Sequence, residues 1–402
     1  MQITTHPLRP MVGRDPSEAH RGATPLEALY DLTIVVAFGV AGSESAHALS
    51  VGEFWPGVVG FAMMIWAVVW CWINYTWFAS AYDTDDWFVR LAVLLQMVGV
   101  VVLSLGIPDL FAGLEHGWEL NGQVTVAGYV VMRVAMVALW LRAASGHPER
   151  RDTALTYAVG VGLAQVAWVV FVVLLHLPFP VWPVAFIAIF AWEMSTPWYA
   201  EIRKGETPWH PHDIAERYGL LAIIALGECV IGTIAAVQAL VAEHGWTPEA
   251  AAIAMVGVGL TMGMWWLYFA MPSGELLAEN RRRSFVWGYG QLPAYAAIAA
   301  VGAGLHLAAY LVDGHSALGA VGTVLATAVP LAVFVLLTIG LFHYIDGQVQ
   351  PAALLAVGVG LAGLGAAVAC AAAGTPLWVS LALLLTAPWS PVVGLEIAGG
   401  RR

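Results

Sequence analysis

The chain has 402 residues, of which 60% are hydrophobic and only 11% charged, and its mean hydropathy is +0.77. A soluble domain carries about 25% charged residues, so these proportions exclude a soluble globular protein. The net charge of -11 leaves no basic surface for a nucleic acid, and the three isolated cysteines, Cys71, Cys229 and Cys370, offer neither a disulfide framework nor zinc spacing.

The apolar runs are each about 20 residues or longer and do not alternate, which points to helices rather than a closed barrel. Twelve spans are expected, at 24–49, 53–80, 87–112, 122–144, 152–175, 180–201, 212–241, 247–272, 284–311, 316–343, 350–373 and 376–396. The fold class is therefore an all-α polytopic membrane protein of about twelve transmembrane helices. Residues 1–23 are a polar cytoplasmic segment without the apolar core of a signal peptide. A first six-helix half covers 24–201, a linker 202–211, a second half 212–396, and a tail 397–402. The link from Asp109 to Gly122 is the longest on the outer side and reads as a small lid. Of the sixteen Lys and Arg residues, all but Arg133 fall on or beside the N-terminal segment, the even-numbered connections or the tail. Cytoplasmic segments collect Lys and Arg, so both termini are expected in the cytoplasm. Forty-two glycines suggest helices packed through small residues.

The first span opens Thr24-Pro25-Leu26-Glu27-Ala28-Leu29-Tyr30-Asp31. Thr24 and Glu27 fit a capping box, with Pro25 in the first turn. Glu27 and Asp31 are four apart and share one helix face. Two carboxylates on one stripe require protein or water opposite them. In the second span, Trp66, Trp70, Trp72, Tyr75 and Trp77 read mainly as interfacial belt and packing. The loop carboxylates Asp83, Asp85 and Asp86 read as solvated, since their spacing is irregular for a metal pair. Arg133 lies deep in the fourth span, and Glu193 inside the sixth. Gln96, Gln165 and Gln291 are expected to form interhelical hydrogen bonds.

The seventh span begins with His212 and Glu216 one turn apart, beside Arg217, whose long side chain is expected to snorkel to the headgroups. Glu228 lies eleven residues beyond Arg217, about 16 Å deeper. Arg133 has a matching depth, so an Arg133–Glu228 ion pair is the economical expectation. No metal site and no cofactor is expected. His210-Pro-His212 lacks a third ligand. Gly358-x-Gly360-x-x-Gly363 matches a dinucleotide fingerprint without the strand that should precede it, so it reads as a packing face. Gly60-Phe61-Ala62-Met63-x-Ile65-Trp66 and Gly259-Leu260-Thr261-Met262-x-Met264-Trp265 suggest two parallel six-helix repeats.

These openings resemble the low temperature requirement protein A family of bacterial membrane proteins. Glu27-Ala28-Leu29-Tyr30-Asp31-Leu32 matches the family's Glu-Leu-aromatic-aromatic-Asp-Leu, departing at Ala28 and Leu29. His212 through Glu228 matches with Glu216-Arg217-Tyr218-Gly219-Leu220 and Leu226-Gly227-Glu228 in place, and Trp265-Trp266-Leu267-Tyr268-Phe269 also fits. The resemblance implies the architecture and the choice of residues, and no defined substrate.

The expected function is a proton- or ion-coupled secondary transporter or permeation protein. Asp31, Arg133, Glu193, Glu216 and Glu228 form the candidate substrate or ion site, and Glu27, His212 and Arg217 its cytoplasmic mouth. The alternative is an integral-membrane enzyme acting on a lipid or isoprenoid, with Asp31 or Glu228 as general acid or base. Expected partners are the bilayer, an unidentified small solute, proton or ion, and a second copy of the chain in a homo-oligomer.

Overall fold

The computed structural model describes residues 5–15, 22–82, 84–348 and 351–399. Arg21, Asp83, Arg401 and Arg402 lie outside them. No strand occurs among the described residues. The helices are α1 (Pro25–Ser50), α2 (Phe54–Ala81), α3 (Trp87–Leu105), α4 (Ile107–Glu115), α5 (Gln123–Gly146), α6 (Arg151–Val169), α7 (Val181–Lys204) and α8 (Pro211–His244). They continue as α9 (Pro248–Phe269), α10 (Ser273–Glu279), α11 (Ser284–Val312), α12 (Gly319–Asp346), α13 (Pro351–Ala372), α14 (Leu377–Leu384) and α15 (Thr386–Gly399). Eleven described segments are long and apolar enough to cross a membrane. The remaining expected span is α7, which is 24 residues long but interrupted by Glu193 and the Ser195-Thr196-Pro197 run.

The first half of the expected outer lid, 109–115, is helix. Pro108 and Asp109 sit in the first turn of α4, and Ile107, Leu110, Phe111 and Leu114 are buried. Apolar residues at helical spacing outweigh the loop-like composition of this stretch.

The chain folds as two compact units. The first comprises Met1–Ala37 and Ala67–Arg217, and the second Phe38–Trp66 and Tyr218–Arg402. The dividing points fall inside α1, α2 and α8.

In the first unit, α3 begins because Asp86 caps it, accepting from the Val89 N–H at 3.1 Å. The same carboxylate accepts from the Arg9 N–H at 3.1 Å and from the Arg142 guanidinium on α5. Burial alone would raise the Asp86 pKa, but these hydrogen bonds prevail and hold it at about 2. Asp86 is therefore a buried anchor, which corrects the expectation of a solvated loop. Asp85 is the exposed member and pairs with Arg90 at 2.9 Å. The N-terminal segment straps across the same end. Arg14 N–H donates to Ala81 at 3.0 Å, and Trp87 N–H donates to His6 at 3.1 Å. Helices α3 and α5 approach closely through glycine: a Cβ on Gly99 would lie 2.7 Å from the Gly128 carbonyl oxygen.

In the second unit, small residues again set the spacing. A Cβ on Gly302 of α11 would lie 2.6 Å from the Glu228 carbonyl oxygen of α8. One on Gly360 of α13 would meet Ala387 of α15 at 3.0 Å and one on Gly363 would meet Thr386, so these two glycines form a packing face, whereas Gly358 faces open space. Gln291 accepts from Tyr268 at 3.2 Å, an interhelical bond as expected.

Candidate functional site

The first unit encloses two arginine–carboxylate clusters. In the first, Arg217 of α8 meets the acidic face of α1. Its Nη2 donates to Asp31 Oδ1 at 2.7 Å, and its Nη1 lies 3.7 Å from Glu27 Oε1. Trp72 of α2 donates its indole N–H to the same Asp31 oxygen at 2.6 Å. The guanidinium carbon stands 5.8 Å from the Trp72 ring centroid and 5.3 Å from that of Tyr75, within cation–π range. Arg217 and Asp31 are both 0% exposed, and Glu27 is 2% exposed.

Arg217 therefore does not snorkel. The reason is helical phase. Asp213 and Arg217 are four apart and both buried, whereas His212 and Glu216 occupy the exposed face of the same turns. Glu216 accepts from the Ala23 N–H at 3.2 Å, and no contact among the described residues joins it to the buried cluster. Glu27 serves both roles read from the sequence. It completes the capping box, accepting from the Thr24 N–H at 2.7 Å and hydroxyl at 2.9 Å, and it faces Arg217. Among the described residues, Arg217 Nε and Nη1 and Asp31 Oδ2 make no hydrogen bond. Glu27 and Tyr75 also line a cavity of about 10 Å³, at the lower limit for one water.

The second cluster centres on Arg133 of α5. Its partner is Glu193 of α7, engaged through Nη2 and through Nε at 3.0 Å. This corrects the expected Arg133–Glu228 pair. Matching depth along the sequence could not choose between two carboxylates near the middle of their helices. Tyr129 donates to Glu193 at 2.9 Å, and Trp168 of α6 donates to its second oxygen at 2.9 Å. Gln165 lies 3.5 Å from the same carboxylate. Arg133 is 0% and Glu193 1% exposed. Truncating one member of such a buried pair costs about 3–5 kcal/mol, because the other charge is left uncompensated.

Tyr30 stands between these clusters in the aromatic packing. Its ring lies 4.8 Å from that of Tyr75, and its hydroxyl donates to Gln96 of α3 at 3.3 Å. Trp70, Trp72 and Tyr75 are at most 2% exposed. They are interior residues, so of the belt-and-packing expectation the packing part holds for these three. A signal was present: Cys71-Trp72-x-Asn74-Tyr75-Thr76 concentrates hydrogen-bonding side chains in the middle of an apolar span.

The second unit holds Glu228, which is half-buried near the middle of α8. Among the described residues it makes no ion pair. A Cβ on Gly39 of α1 would lie 3.3 Å from Glu228 Oε1, so the glycine leaves space at the carboxylate.

The family model described as Bacterial low temperature requirement A protein (LtrA) matches residues 22–388. The chain belongs to this family. Both Arg–carboxylate clusters and Glu228 lie inside the matched region. Among curated proteins, this LtrA-family chain is similar to the uncharacterized protein RA0937 of Rhizobium meliloti strain 1021. They are 27% identical over 282 residues, covering 66% of this chain and 64% of the relative. The chain thus spans somewhat less than two thirds of that relative's length. No solved structure matches.

Proposed function

We propose that the protein is a proton- or ion-coupled secondary transporter or permeation protein of the bacterial inner membrane, with Glu228 as the coupling carboxylate. The observation that carries this reading is the contrast in partners. Asp31 and Glu193 are each held by a buried arginine, whereas Glu228 stands half-buried without one among the described residues. A carboxyl in the hydrocarbon region is costly when charged and unpaired. Taking up a proton or a cation relieves that cost, so occupancy changes the energy of the surrounding helices. Gly39 beside its oxygens gives a small ion or proton carrier room to approach.

In this reading the Asp31–Arg217–Glu27 cluster closes the basic end of the first unit, with Glu216 and His212 facing solution at that end. Arg133 and Glu193 supply a rigid polar interior against which other elements move. Two parallel six-helix repeats, with both termini in the cytoplasm, belong to the same proposal. Its support is the pair of related motifs that begin at Gly60 and Gly259.

The test uses purified full-length protein in liposomes that enclose a pH-sensitive dye. A sodium or potassium gradient is imposed and internal pH is followed. Wild-type protein is expected to move protons faster than protein-free vesicles, and Glu228→Gln to return the rate to that baseline. Wild-type rates in Glu228→Gln remove the assigned role. Wild-type vesicles that behave like empty ones under every gradient remove proton coupling to these ions.

A further inference from the structure

Helices α6 and α7 have two different sides. One carries Gln165, Trp168 and Glu193 into the Arg133 cluster. The other side forms a groove of about 820 Å³. Its walls include Val159, Leu163, Trp192 and Trp198, and these four are exposed by 58%, 52%, 53% and 49%. The floor is set by Gly160, whose missing side chain lets Thr196 of α7 press against α6.

The chemistry changes along the groove. Its middle presents no free donor at Ser195 or Thr196, because both hydroxyls donate back to the Trp192 carbonyl, at 2.8 and 3.1 Å. An occupant there needs no polar contact, which suits a hydrocarbon chain. One end is different. Asp152 and Lys204 both line it, both are exposed, and neither forms an ion pair among the described residues. The Thr153 hydroxyl donates to the Gly205 carbonyl at 2.9 Å, which places the start of α6 beside the end of α7. From Asp152 to Leu163 the groove runs about 16 Å along α6 at 1.5 Å per residue. That is about the hydrocarbon depth of one leaflet.

We propose that this groove is a binding site for a zwitterionic phospholipid of the phosphoethanolamine type. Its phosphate lies on Lys204, its ammonium on Asp152 and an acyl chain along Val159 and Leu163. Charge complementarity selects this occupant. A lipid with a purely anionic headgroup satisfies Lys204 but brings its charge toward Asp152. The proposal does not depend on the transport reading, since it requires only that the chain sits in a bilayer.

The test places full-length protein in vesicles containing either phosphatidylethanolamine or phosphatidylglycerol with a photoreactive acyl chain. After illumination, labelled peptides are mapped. Labelling of residues 151–204 by the ethanolamine lipid is expected to exceed that by the glycerol lipid about fivefold, the scale of one interfacial charge contact. Asp152→Asn is expected to remove the preference, and Lys204→Gln to lower labelling by both lipids. Leu163→Trp fills the groove without touching either charge and is expected to lower labelling by both. Both charged residues are exposed, and thermal unfolding curves matching wild type show that the variants fold. Equal labelling by the two lipids in the wild type overturns the proposal. So does an unchanged preference in Asp152→Asn, or the absence of lipid label from residues 151–204.

Discussion

The two compact units handle charge in opposite ways. In the first, the buried arginines Arg133 and Arg217 each meet a carboxylate, and tryptophan and tyrosine donors occupy further oxygens. In the second, glycines crowd the helices together around Glu228, and no cation pairs with it among the described residues. The lesson concerns division of labour. Charges with fixed partners make a stiff interior, because removing either partner leaves a desolvated ion. A carboxylate without a partner can change its occupancy without leaving a second buried charge uncompensated.

The comparison is broken most directly at Glu193. Glu193→Ala leaves Arg133 unpaired and is expected to cost about 3–5 kcal/mol, whereas Glu228→Gln costs under about 1 kcal/mol. Thermal unfolding of both variants in the same lipid measures the gap, and equal losses erase the distinction between the units. The double replacement Arg133→Met with Glu193→Leu is expected to recover most of the Glu193→Ala loss, since a well-packed apolar pair removes the uncompensated charge.

Arg217 sharpens the contrast within the first unit. Arg217→Ala is expected to cost about 2–4 kcal/mol, less than Glu193→Ala, because Trp72 still donates to Asp31 and Thr24 still donates to Glu27. Arg217→Lys keeps the charge but loses the planar fork and the stacking on Trp72 and Tyr75, so an intermediate loss is expected. A fully stable Arg217→Ala would show that the cluster is not a structural element.

A smaller effect than at either arginine cluster is expected at Asp86, where the pairing reaches the end of the helices. Its carboxyl is held at about 2 in the folded protein, below the ordinary value of about 3.9 for an unfolded chain. A depressed folded value stabilises at pH above the unfolded value, and that stabilisation is lost as pH falls toward 2. Asp86→Asn keeps a competent helix cap but gives up the Arg142 pairing. It is expected to cost about 1 kcal/mol at neutral pH. The difference from wild type should shrink as pH falls from about 5 through 2, as read by unfolding curves across that range. A difference that stays constant over that range would assign the loss to packing.

Much of the fold was legible in the residues. Long apolar runs, the capping box at Thr24 and Glu27, and the resemblance to the low temperature requirement family all point to the architecture that the structure has. The i, i+4 relation of Glu27 and Asp31 correctly placed two carboxylates on one face. The misreadings share one cause. Periodicity says which residues share a face but not what that face meets. His212 and Glu216 were legible as a pair, as were Asp213 and Arg217, yet only packing showed that the second pair is the buried one. Trp72 and Tyr75 could not be divided between belt and packing, because an aromatic ring in a span has the same sequence signature at the interface and in the core.

By itself, the sequence determined that this chain crosses a bilayer many times as helices, because backbone polar groups in lipid must be satisfied within each segment. It also determined which ionisable groups are costly enough there to need an explanation. The tertiary structure decided their partners. Arg133 takes Glu193 and Arg217 takes Asp31, while Glu228 is left without a cation among the described residues. A helix fixes spacing along its own axis, whereas ion pairing depends on a few ångströms between helices distant in the chain, and only their packing sets that distance.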